Sequence, residues 1–199
     1  NIDEFGDRNW HNTYGGKKED YGKSIKLMAD GGYLITAETN SIGAGRNDIW
    51  LLKIDKNGKI EWDNTIGNKK DEYFSSAMIL PNDNIIISGY KTVKDKFSMK
   101  NSIMAIINNE PNNRKKKKSF VNMLDQEGKN KWEVSPSEDE ENHIAFTTFL
   151  SDQIFMVGQK STRFNGNGDA WLISLDMNGR KKWEESYGGR GSDGGNYAI

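Results

Sequence analysis

Cysteine is absent from this 199-residue chain, which removes disulfide bridges, thiolate chemistry and cysteine-ligated zinc together and leaves the compartment open. Histidine is scarce. His11 and His143 fall at different places in the pattern described below, outside any metal-ligand spacing and away from a nucleophile motif, so both read as surface or structural residues. Net charge is lacking too: 28 basic against 29 acidic residues leave −1 at neutral pH, and no global field favours nucleic acid or a membrane. No apolar run approaches the length of a membrane span, and the opening Asn1-Ile2-Asp3-Glu4 is unlike a secretory signal. No glycine loop of the phosphate-cradling kind leads into a helix. No catalytic residue, cofactor site or metal site is assigned.

What is present is a repeat. Ile54-Asp55-Lys56-Asn57-Gly58 leads to Trp62, and the same spacing recurs from Asp3 through Gly6 to Trp10, from Asp125 through Gly128 to Trp132, and from Asp176 through Gly179 to Trp183. The unit predicts a hairpin turn, with Asp bonding the turn backbone and Gly supplying positive φ. A calcium loop would need oxygen ligands at alternate positions and a later bidentate carboxylate, and these are missing. A tryptophan at a fixed place after every turn offers the largest apolar side chain at a regular interval, suited to stacking one repeat on the next.

On these residues the string resembles the tryptophan-docking motif of quinoprotein-type β-propellers (Ala-x-Asp-x-x-Thr-Gly-x-x-x-Trp), with Thr replaced by Phe5, Asn57, Glu127 and Asn178. The wider repeat is similar to propeller repeats of bacterial secreted and surface proteins, mostly uncharacterised. Its carriers are Trp10 to Gly16 (Trp-His-Asn-Thr-Tyr-Gly-Gly), Asp30-Gly31-Gly32-Tyr33-Leu34, and Asp48-Ile49-Trp50-Leu51. The resemblance implies a bacterial exported or cell-surface protein, with the periplasm as a further location. It covers essentially the whole chain and says almost nothing about a ligand. The vicinal cysteines of quinoprotein enzymes are absent, and no cofactor-stacking aromatics can be assigned.

The tryptophans of successive turn units, Trp10, Trp62, Trp132 and Trp183, stand 52, 70 and 51 residues apart, so the middle repeat carries an insertion. Alternation and turn signals in the first interval divide it into four strands, near 21–28, 33–39, 48–54 and 59–66. A four-stranded antiparallel unit recurring about every fifty residues is what a propeller blade requires. The expected architecture is therefore an all-β propeller with repeats 10–61, 62–131 and 132–182 and partial repeats 1–9 and 183–199. Because the sequence opens on the turn motif and stops as another first strand begins, a longer protein with further repeats and a leader is expected.

In the second repeat Met104 stands where Trp50 and Trp171 stand, and residues 108–122, with Arg114-Lys115-Lys116-Lys117-Lys118, interrupt the third strand or lengthen the third and fourth. The lysine run reads as a solvated loop, with an anionic-polymer contact as the sharper alternative. Ser135 to Glu141 is an acidic edge read the same way. Short turns share one rim, whereas the second-to-third loops (40–47, 91–100, 161–168) and the fourth-to-first loops (67–70, 135–141, 188–192) share the other. Binding on such scaffolds sits on long loops, so the candidate binding face comprises Arg46, Asp48, Phe97, Arg163, Phe164 and Asp169. Ten residues after each tryptophan stand Asp20, Glu72, Asn142 and Asp193, read as a repeated buried hydrogen bond, with a ring of ligands about a central channel as the alternative.

The expected function is a non-catalytic binding or scaffold module that meets a protein or glycan through its long-loop face. One alternative is a propeller hydrolase, lyase or quinoprotein whose catalytic residues lie in further repeats. Another is an accessory lipoprotein of a cell-envelope complex, docking a protein partner.

Overall fold

The structure is a computed structural model that describes residues 1–94, 115–137, 141–161, 168–189 and 193. It is all-β: twelve strands form three open, four-stranded antiparallel sheets, each built from strands consecutive in sequence. The first sheet holds β1 (Asp20–Leu27), β2 (Tyr33–Thr39), β3 (Asp48–Ile54) and β4 (Ile60–Ile66). The second holds β5 (Glu72–Ile79), β6 (Ile85–Lys94), β7 (Lys115–Leu124) and β8 (Asn130–Val134). The third holds β9 (Asn142–Leu150), β10 (Gln153–Ser161), β11 (Gly168–Asp176) and β12 (Lys181–Tyr187). Among the described residues no helix is long and apolar enough to cross a membrane.

Local chemistry explains the strand boundaries. At each Asp-x-x-Gly turn between third and fourth strands, one Asp carboxylate oxygen accepts the N–H groups two and four residues on: Asn57 and Lys59 for Asp55, Glu127 and Lys129 for Asp125, Asn178 and Arg180 for Asp176. The turn glycines take φ of +83, +76 and +78, a region in which a Cβ is penalised. Just past each turn the ladder slips by one residue, between Lys53 and Ile54, Met123 and Leu124, and Ser174 and Leu175. This bulge sets the fourth-strand tryptophan opposite the residue two before the Asp in every sheet, Trp62 facing Lys53, Trp132 facing Met123 and Trp183 facing Ser174.

The middle strands of the second sheet are apolar on both faces because a neighbouring sheet covers each face. Ile49, Leu51, Met28 and Leu34 of the first sheet region pack on Ile85, Ile87, Phe120 and Leu124 of the second. Ile86, Val121 and Met123, on the opposite face of the second sheet, pack on Ile144, Ile154, Met156, Trp171, Ile173 and Leu175 of the third. First strands carry much of this joining, β5 lying against β1, β2 and β3, and β9 against β5, β6 and β7. The outer strands β4, β8 and β12 are largely exposed or half-buried.

The second repeat differs from its sequence reading. The lysine run is no loop: Lys115 to Lys118 open β7 and pair with Lys94 to Lys91. The lengthened hairpin is made by the second and third strands, not the third and fourth. Phe120, not Met104, takes the tryptophan place, facing Gly89 as Trp50 faces Ala37 and Trp171 faces Gly158. The reason is that register is counted back from the Asp125 turn, which puts Phe120, Val121, Met123 and Leu124 into the two apolar interfaces. Met104 and the rest of the insertion lie outside the described residues, as do 138–140 of the acidic edge.

Candidate functional site

The rim opposite the short turns is built where first strands begin and second strands end. Its polar groundwork is the residue ten places after each tryptophan. Asp20, Glu72 and Asn142 each begin a first strand. Asp20 accepts the Gly16 N–H at 2.8 Å, Glu72 the Asn68 N–H at 3.2 Å and Asp193 the Gly189 N–H at 3.0 Å, so each closes its loop on the backbone four residues earlier. Asn142 instead accepts the Ser119 N–H at 2.9 Å and donates to the Ser137 carbonyl at 3.2 Å.

One position carries two electrostatic outcomes. Burial raises the Asp20 carboxyl, but hydrogen bonds from Thr39, Gly16 and Ser41 outweigh it and hold the group below its ordinary value. Glu72 is pushed up to about 7, because burial removes its water and Asp48 adds like charge, against the lowering influence of the Asn68 N–H and Lys91. The difference lies first in burial, which outweighs the one N–H and the lysine about Glu72 but not the several donors about Asp20; across the ladder Asp20 pairs with Thr39, a donor to it, and Glu72 with Lys91. Lys91 is engaged elsewhere, 3.3 Å from Glu133 and over the Phe120 ring at 5.9 Å. The third repeat repeats this arrangement, with Lys160 3.1 Å from Glu184 and 5.7 Å above the Trp171 ring. In the first sheet, where Thr39 replaces the lysine, the Trp50 N–H donates to Asp63 at 3.0 Å instead. Glu72, Lys91, Glu133, Phe120, Gly67 and Asn68 bound a cavity of about 40 Å³, room for a few water molecules.

Of the candidate face, Arg46 is exposed and lines a cleft of about 490 Å³ with Lys17, Lys18, Glu19, Asn40 and Gly45. Three cations and one carboxylate give this cleft positive character. Asp48 lies beneath it, 1% exposed, accepting the Gly45 N–H at 2.9 Å and packed so close to Gly67 that a Cβ there would overlap its carboxylate. Asp169 is half-buried against Gly188 in the same manner. Both aspartates therefore shape loops. Phe97, Arg163 and Phe164 lie outside the described residues.

A cluster absent from the sequence reading occupies the same rim. Tyr73 stacks on Tyr90 with centroids 5.0 Å apart and planes 18° apart, and the His143 ring meets Tyr90 edge-on at 6.3 Å. Lys117 caps the group, 4.8 Å from the Tyr90 centroid. Burial raises both phenols and lowers His143, the latter helped by Lys117. A signal existed: Tyr21, Tyr73 and His143 each stand one residue past the recurring polar position. Tyr90 and Lys117 had none, since only cross-strand pairing brings them there.

The docking residues form three joints. The indole N–H of Trp10 donates to the Lys56 carbonyl at 2.8 Å, that of Trp62 to Gln126 at 3.1 Å and that of Trp132 to Met177 at 3.0 Å. Each acceptor directly follows the turn aspartate. The adjoining glycine lies under the ring: a Cβ on Gly58, Gly128 or Gly179 would stand 2.8, 2.6 or 3.1 Å from the indole of Trp10, Trp62 or Trp132. Asn12 and Asn64, two places past their tryptophans, donate to the carbonyls of Gly58 and Gly128 at 2.8 and 2.7 Å. Compared with known proteins, the chain matches no family model and no curated protein.

Proposed function

We propose that this chain is a segment of a β-propeller that works as a non-catalytic binding module of an exported or surface-attached bacterial protein, its long-loop rim receiving an acidic glycan or an acidic protein segment. The single observation that carries the reading is the cleft of about 490 Å³ walled by Lys17, Lys18 and Arg46 on that rim. Its volume suits a short oligosaccharide or peptide, and its lysine and arginine groups suit carboxylate or sulfate. The loops that make it are held by the buried Asp48 and the half-buried Asp20, which accept the Gly45 and Gly16 N–H groups, so the cleft stands on a rigid frame. The propeller reading is supported by the four-stranded units and by the repeated tryptophan joints between them.

The enzyme alternative draws on Glu72, whose carboxyl is pushed up to about 7. The cavity beside it, about 40 Å³, admits no sugar or peptide, and this favours a structural role for the group.

The test is titration calorimetry of the protein against uronate and neutral oligosaccharides and against acidic and basic peptides. Binding confined to acidic ligands, weakened roughly tenfold or more by Lys17→Ala with Arg46→Ala, supports the reading. Equal affinity for neutral and basic ligands, or no loss in the double variant, overturns it.

A further inference from the structure

The run Lys115 to Lys118 contains no aromatic residue, and the fold supplies them from neighbouring strands. Side chains alternate along β7, so Lys115 and Lys117 share one face and Lys116 and Lys118 the other. Register with β6 puts Lys94 opposite Lys115, Thr92 opposite Lys117 and Tyr90 opposite Ser119, while register between β5 and β6 puts Tyr73 opposite Tyr90. One face of the second sheet therefore carries Lys94, Lys115 and Lys117, all exposed, beside the stacked Tyr73 and Tyr90 rings, with His143 of the third sheet edge-on to Tyr90.

The lysines of the two faces are balanced differently. On the other face Lys91, opposite Lys118, lies 3.3 Å from Glu133 and over the Phe120 ring. Lys94 and Lys115 stand directly opposite one another, a like-charge pair that weakens a sheet, and among the described residues neither forms an ion pair. Lys117 lies 4.8 Å from the Tyr90 centroid, and because β6 runs between β5 and β7, Tyr90 is stacked by Tyr73 on one side and capped by Lys117 on the other. Of the carboxylates that bear on the cluster, Glu38 is paired with Lys23 at 3.0 Å and Glu141 accepts the Lys117 backbone N–H at 3.4 Å. Asp71 and Glu141 are then set against three exposed lysines, and positive charge is in excess.

We propose that this face is a second anion site, separate from the cleft of Lys17, Lys18 and Arg46, and that its ligand is an acidic polysaccharide, the lysines taking carboxylate or sulfate groups and the tyrosines meeting the sugar rings. The ligand that fits carries negative charge and flat, partly apolar ring faces together. An acidic peptide brings the charge without the rings. A single-stranded nucleic acid brings both but needs open aromatic faces for successive bases, and with both sides of Tyr90 taken, at most the outer side of Tyr73 is open. The site shares no side chain with the cleft, so neither depends on the other.

Titration calorimetry on a protein whose cleft is removed by Lys17→Ala with Arg46→Ala tests this. The probe is an oligogalacturonate; its neutral methyl ester, and an oligoglutamate and an oligothymidylate of equal charge, are the comparisons. The oligogalacturonate is expected to bind the cleft variant, more weakly as salt rises, and to lose roughly tenfold or more in affinity when Lys94→Gln, Lys115→Gln and Lys117→Gln are added. The methyl ester is expected not to bind, and the other two polyanions to bind more weakly. Removing the Lys94 and Lys115 pair relieves repulsion, so unchanged circular dichroism serves as the folding control. No oligogalacturonate binding once the cleft is removed, undiminished binding after the glutamine substitutions, or binding of the oligoglutamate or oligothymidylate as tight or tighter overturns the proposal. The glutamine variant with its cleft intact reports on the cleft alone, so failure of either site is read without the other.

Discussion

At the scale of single residues the most consequential group is Glu72, 2% exposed and pushed up to about 7. In the unfolded chain it titrates near 4.5, so between pH 4.5 and 7 the folded state keeps a proton that the unfolded state has released. The stability linked to this proton is present in full below pH 4.5 and is lost as pH rises through 7. Glu72→Gln keeps a carbonyl for the Asn68 N–H and removes the titration. The variant is therefore expected to match the wild type near pH 4 and to exceed it at pH 8 by on the order of 3 kcal/mol. Urea denaturation of both proteins across that range checks it; parallel pH profiles would refute the assignment. Asp20 and Glu72 show how burial with few donors, against several donors around the carboxylate, sends the same repeat position in opposite directions.

At the scale of the element, the turn and the tryptophan seated on it form one unit. Gly128 combines φ +76 with an indole 2.6 Å from where a Cβ would stand, whereas Gly6 has φ +88 and nothing within 4 Å. Alanine at Gly6 should cost only the left-handed backbone, about 1–2 kcal/mol if the whole turn is retained. Alanine at Gly128 should cost that and the displacement of Trp62, roughly 3 kcal/mol or more in total. Equal losses in chemical denaturation would mean that the ring contact contributes nothing. The lysine-rich start of β7 belongs to this scale as well. Its alternation of exposed and half-buried residues lets Lys117 reach the Tyr90 ring while the strand keeps its ladder with β6.

At the scale of the whole molecule, stability is a sum over sheets and over the interfaces between neighbours. The first and third sheets each meet the second through one apolar interface and a tryptophan joint. Trp62→Ala should uncouple the first sheet preferentially, lowering total stability by about 3 kcal/mol. Hydrogen exchange should then show the amides of β2 and β3 losing protection before those of β10 and β11. Uniform loss of protection would indicate a single cooperative unit indifferent to where the joint is broken.

Much of this architecture was legible in the order of residues because its determinants are local. A turn aspartate bonds N–H groups two and four residues away, a glycine takes the positive φ beside it, and the tryptophan stands four residues further on; all lie within one hairpin, so spacing alone reveals them. The same locality gave the strand spans of the first repeat nearly to the residue. The second repeat defeated that counting. Its insertion shifts everything counted forward past β6, and only pairing between β6 and β7 identifies Phe120 as the residue in the tryptophan place. The Tyr73, Tyr90, His143 and Lys117 cluster was beyond reach for the same reason, as was the positive cleft of Lys17, Lys18 and Arg46. Sequence by itself determined the repeating hairpin and the all-β class, since these follow from short-range hydrogen bonds and alternation. Tertiary structure alone decided which charges are buried, which rings meet and which tryptophan is left exposed, because those depend on contacts between strands tens of residues apart.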